Sequence, residues 1–92
     1  MNQYAAQARM HWQNHLPNRY RQIAKPDEFF TDMGEQIAQQ IQELSMALAG
    51  PDPERETYLD KLGRLNNARL SAEGQVLREM LPDPETDLSP TR

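Results

Sequence analysis

His11 and His15 are the first residues whose types and spacing suit a chemical task. One helical turn apart, two imidazoles can share a metal ion. Trp12 and Gln13 fill the interval, so the zinc-protease pattern, which needs glutamate beside the first histidine, is missing. The chain has no cysteine and no further histidine to complete a ligand set, and disulfides are excluded outright. Nor does it carry a catalytic serine–histidine–aspartate set, a glycine-rich phosphate loop, a calcium loop or a nucleophile motif. We therefore expect no catalytic residue, no cofactor and no metal, and a protein that is not an enzyme.

Charge layout offers a second kind of chemistry. Residues 1–25 hold Arg9, Arg19, Arg21 and Lys25 and no acid, whereas residues 26–92 hold 6 basic and 14 acidic residues. A +4 segment thus precedes a −8 segment, giving the net −4. Trp12 and Tyr20 sit among Arg9, Arg19 and Arg21, and aromatics interleaved with arginine can stack bases and neutralise phosphates. Four cations are few for nucleic acid, and the acidic remainder would repel a polyanion. The simpler expectation is that the basic segment docks on the acidic one.

The carboxylates form two groups, Asp27, Glu28, Asp32 and Glu35 in one and Glu54, Glu56 and Asp60 in the other. Acids early in a helix complement its dipole. On a small acidic protein they can also imitate a phosphate track and occupy a basic groove. A third polar feature is Arg69 with Glu73, spaced i, i+4 inside an otherwise apolar face, with Asn66 beside them. Buried in an interface, such a layer fixes register at some cost in stability. At a rim, the same side chains reach water along their own stems.

The elements that must position these residues are helices. Leu, Ile, Val and Phe make up only 16 of 92 residues, yet they are tightly patterned, and straight-chain helix formers dominate over β-branched residues. Prolines 17, 26, 51, 53, 82, 84 and 90 all fall between the periodic segments. The first helix spans about 3–16, with Tyr4, Ala8, Trp12 and Leu16 along one face. A single helical turn is expected between Pro17 and Lys25. The second helix spans about 26–49, opened by Pro26, Asp27 and Glu28 and stopped at Gly50. Phe30, Met33, Ile37, Ile41, Leu44 and Leu48 recur along it, flanked by Gly34, Ala38, Ser45 and Ala49, small enough for a close neighbour.

The third helix spans about 53–81, with Asp52 as N-cap and Pro53 and Glu54 in its first turn. That makes it about 43 Å long. Tyr58, Leu59, Leu62, Leu65, Leu70, Ala72, Val76, Leu77, Met80 and Leu81 cover half its circumference, too wide a face for one neighbour. The short connection folds the two long helices back antiparallel. The fold expected is all-α: a long antiparallel hairpin with the N-terminal helix packed across it, like a three-helix bundle. Residues 1–81 form one domain and 82–92 a disordered tail.

The functional expectation is a small acidic interaction protein that binds a larger protein partner through Asp27, Glu28, Asp32, Glu35, Glu54, Glu56 and Asp60. It would act as an inhibitor or accessory subunit of a nucleic-acid-handling complex. A homodimer is expected from the wide third-helix face, with Asn66, Arg69 and Glu73 as its polar layer. No apolar run is long enough to span a membrane and no export leader opens the chain, so a cytoplasmic home is expected. The alternative is direct nucleic-acid binding through Arg9, Trp12, Arg19, Tyr20 and Arg21.

Overall fold

A computed structural model describes residues 2–87. Four α-helices follow one another: α1 (Gln3–His15), α2 (Pro17–Arg21), α3 (Pro26–Ala49) and α4 (Tyr58–Met80), and a 3-10 turn covers Pro84–Thr86. The described residues contain no strand. The fold is all-α, with α3 and α4 forming the antiparallel hairpin and α1 packed on α3.

Local chemistry sets each boundary. The Asn2 side chain accepts from the Ala5 amide at 2.7 Å and opens α1. Pro17 denies Leu16 a helical conformation, so α1 stops and α2 begins with proline in its first position. Pro26 likewise opens α3, followed by Asp27 and Glu28 at the positive end of the dipole. Gly50 ends α3 at φ 66°, which a residue with a Cβ rarely adopts.

The start of α4 differs from the expectation. Pro53 to Glu56 form a turn within an eight-residue loop, and Thr57 is the true N-cap, its hydroxyl accepting from the Asp60 amide at 3.1 Å. The helix is therefore 23 residues, about 35 Å, and not 43 Å. The extended backbone of Thr57 (φ −74°, ψ 166°) separates the proline turn from the helix. Pro-Asp-Pro-Glu behaves alike at its second occurrence, where Pro84 opens a 3-10 turn and no α-helix. Of the expected tail, residues 82–87 are ordered against α2, and residues 88–92 lie outside the described residues.

The core uses the α1 and α3 faces read in the sequence, but of the α4 face only Ala72 and Val76 are buried, joined by Ala68. Tyr58, Leu59, Leu62, Leu65 and Leu70 are exposed where α1 does not reach. Tyr4, Ala8, Trp12 and Leu16 of the α1 side meet Phe30, Ile37 and Ile41 of α3 and Ala72 and Val76 of α4. Trp12 packs edge-on against Phe29 and Phe30, at 5.3 and 5.8 Å between ring centres. Tyr4 lies beside Glu73 while His11 lies beside Pro82, so α1 runs parallel to α4 and antiparallel to α3. This places α1 along the open half of the hairpin only. The loop end projects beyond it, and the molecule measures 61 × 25 × 16 Å. Its radius of gyration is 16.9 Å, where a compact chain of this length has about 12 Å.

Candidate partner-binding faces

The docking of α1 sorts the charges. Arg9 donates to Asp27 at 2.5 Å and, through Nε, to the Tyr20 hydroxyl at 3.3 Å. Gln13 and then Arg9 pull the Tyr20 phenol below its ordinary ionisation range, because both donate hydrogen bonds to its oxygen. The Arg19 guanidinium lies 4.9 Å from the centre of the Trp12 ring and donates to Thr86 at 2.9 Å. Arg21 donates to Asn18. The basic segment thus docks within its own chain.

That docking covers the aromatic side chains of the nucleic-acid alternative to different degrees. Trp12 is only 5% exposed, and its indole N–H is buried without a hydrogen-bond partner. Tyr20 is partly buried and stacked on Phe30 at 5.9 Å. In this arrangement the Trp12 ring is covered, whereas Tyr20 keeps part of its surface open. Burial in the α1–α3 seam is what covers Trp12.

His11 and His15 stand 5.0 Å apart between ring centres. His11 Nε2 lies 2.7 Å from the carbonyl oxygen of Pro82, which only accepts, so this nitrogen carries the proton. Among the described residues no group of three histidine or acidic side chains is placed to hold a metal. His11 therefore serves as a strut between α1 and the segment after α4.

The first acidic group divides. Asp27 faces α1 and is engaged by Arg9, whereas Glu28, Asp32 and Glu35, spaced 4 and 3, share the outer face of α3. Glu28 has only Lys25, at 4.0 Å, and Asp32 and Glu35 have no ion pair among the described residues. Beside this ridge, Ile23, Ala24 and the exposed ring of Phe29 line a shallow hollow of about 490 Å³ whose rim carries Glu28 and Asp32. Phe29 and Asp32 also border a second hollow floored by Met33 and Met80. The face combines an apolar centre with exposed carboxylates, of which Glu28 is shared with Lys25 at the same rim.

Of the second acidic group, only Glu56 is neutralised inside the chain. Arg64 grips Glu56 with both prongs, Nε at 2.7 Å and Nη2 at 3.0 Å, and also binds Asp52 at 2.7 Å and the Ala49 carbonyl at 2.5 Å. Lys61, then Arg64, hold the Asp52 carboxyl below the usual aspartate range. Glu56 is hence a structural clasp, while Glu54 and Asp60 remain exposed, Asp60 in the first turn of α4. Arg64 was not singled out in the sequence. The Thr57–Asp60 spacing, a cap signature, was the one local signal available.

Arg69 and Glu73 pair at 3.3 Å, and the Tyr4 hydroxyl joins them, donating to Glu73 at 2.9 Å and accepting from Arg69 at 3.3 Å. Asn66 takes no part in this network. In the single chain Tyr4 is buried, Glu73 half-buried and Arg69 exposed. The chain matches no family model, and no curated protein or solved structure matches it either.

Proposed function

We propose that this chain is a non-enzymatic, cytoplasmic interaction protein that works as a homodimer. Its outer α3 face binds a basic groove on a larger protein. In this reading it is an inhibitor or accessory subunit of a nucleic-acid-handling complex, its carboxylates standing where phosphates otherwise lie. The observation that carries the reading is the sorting of charge by α1. Arg9 and Arg19 are spent within the chain, while Glu28, Asp32 and Glu35 stand exposed beside the apolar hollow at Phe29. Complementary charge of this kind acts mainly on association rate and salt dependence.

Titration with single- and double-stranded oligonucleotides at low salt separates this reading from direct nucleic-acid binding. We expect no gel shift at tens of micromolar protein. A salt-sensitive shift abolished by substituting Arg19 and Arg21 would establish the alternative, since phosphate contacts release counterions.

A further inference from the structure

Tyr58, Leu62, Leu65, Arg69, Glu73, Leu77 and Met80 recur at spacings of 4, 3, 4, 4, 4 and 3 and so lie along one side of α4. From Glu73 onward α1 attends to this side: Tyr4 binds Glu73, and Leu77 and Met80 pack half-buried against the core. Before Arg69 the same side continues with nothing over it. Tyr58 and Leu59 are 75% and 76% exposed, Leu62 and Leu65 are 45% and 39% exposed, and Leu70, just past Arg69, is 59% exposed. Taking about 180 Å² for each such side chain, this stripe shows on the order of 500 Å² of apolar surface. That lies near the upper end for the largest patch on a monomeric protein. With the stems of Asn66 and Arg69 it approaches the roughly 800 Å² per partner of a stable interface.

We propose that this stripe, Tyr58 to Leu70 on α4, is the surface on which a second copy of the chain docks, with the two α4 helices antiparallel. The inference rests on the homodimer reading and supplies its interface. Orientation follows from α1, which stands about one helix diameter, some 10 Å, above the open half of the same side. Parallel pairing would drive each α1 into its counterpart. Antiparallel pairing sets each α1 beyond the other copy's loop end, and each α4 fills on the loop half the place that α1 fills on the open half. The interface is isologous, so a residue at its middle meets itself. The midpoint of Tyr58 to Leu70 is position 64, and Leu65 is the member of the stripe nearest to it.

Sedimentation velocity on the full chain at tens of micromolar tests this. The wild type should sediment at twice 10.7 kDa. Leu59→Glu with Leu62→Glu should give a monomer of unchanged helicity, because both side chains are exposed in the single chain. Met46→Glu, on the outer face of α3, should remain dimeric. A wild-type monomer throughout would overturn the homodimer itself, and a dimer surviving the double substitution would overturn this interface alone. A second measurement uses the absence of cysteine. Leu65→Cys should form a disulfide-linked dimer on mild oxidation, whereas Ser71→Cys, on the opposite side of α4, should not. Equal cross-linking of the two would contradict the arrangement.

Discussion

A Cβ placed on Gly34 would stand 2.5 Å from the Asn2 side-chain oxygen, 2.6 Å from the Ala5 Cβ and 2.7 Å from the Ala5 amide nitrogen. The absent side chain is what allows α1 to lie so close to α3. Gly34→Ala sets two effects against each other: alanine favours the helix by about 1 kcal/mol, and overpacking costs about 1–3 kcal/mol. Two of the three crowded atoms belong to Ala5, and Ala5 is fully buried, so the clash should win. Thermal melts followed by circular dichroism should show a loss of several degrees. At Gly63 a Cβ meets nothing within 4 Å, so Gly63→Ala should raise the melting temperature instead. Equal shifts at the two glycines would mean that α1 does not rest on Gly34. The small-residue flank was legible in the sequence. Which of its members carries the contact was not, because that depends on where α1 ends along the hairpin.

At the scale of elements, two connections are held by partners far away in sequence. The loop between α3 and α4 closes on Arg64, which reaches back 8 residues to Glu56, 12 to Asp52 and 15 to Ala49. Helix periods and proline positions announced α1 and α3 nearly to the residue. The start of α4 was obscured because Asp52, Pro53 and Glu54 imitate a helix opening, and only the Arg64 clasp and the Thr57 cap decide otherwise. Arg64→Ala should lower the melting temperature at neutral pH. The lowered Asp52 carboxyl contributes stability above its ordinary value of 3.8, and that contribution is lost as pH falls through its folded value. The gap between wild type and Arg64→Ala should therefore be steady from pH 7 to 5 and narrow below 3.8. A gap independent of pH would exclude the ion pair as its source.

The second connection is Asp87. Its carboxylate accepts from the Arg19 amide at 2.8 Å and the Asn18 amide at 3.1 Å, capping an α2 that has no side-chain cap of its own. Asp87→Ala should cost about 1 kcal/mol, as lost caps do. Hydrogen exchange should localise the added opening to residues 18–21. Protection there equal to wild type would show the cap to be idle. Composition alone marked residues 82–92 as tail, and nothing local announces a cap some 70 positions from its helix.

On the scale of the whole molecule, the docking of α1 engages Asp27 and leaves Glu28, Asp32 and Glu35 on the outer face of α3. The acidic residue types were legible in the sequence, but their grouping was not. Asp27 belongs to the α1 seam through Arg9, and Glu56 belongs to the loop through Arg64. The candidate face is therefore the narrower set Glu28, Asp32 and Glu35, and a charge reversal that included Asp27 would disturb the fold along with the binding. The most direct test immobilises the wild-type chain and a Glu28→Lys, Asp32→Lys, Glu35→Lys variant side by side, and exposes both to lysate of the source cell. The account predicts a protein retained by the wild type, released at roughly 0.5 M salt, where screening is strong, and missing from the equally helical variant. A protein held equally by both chains, or none held above bare resin, would contradict it.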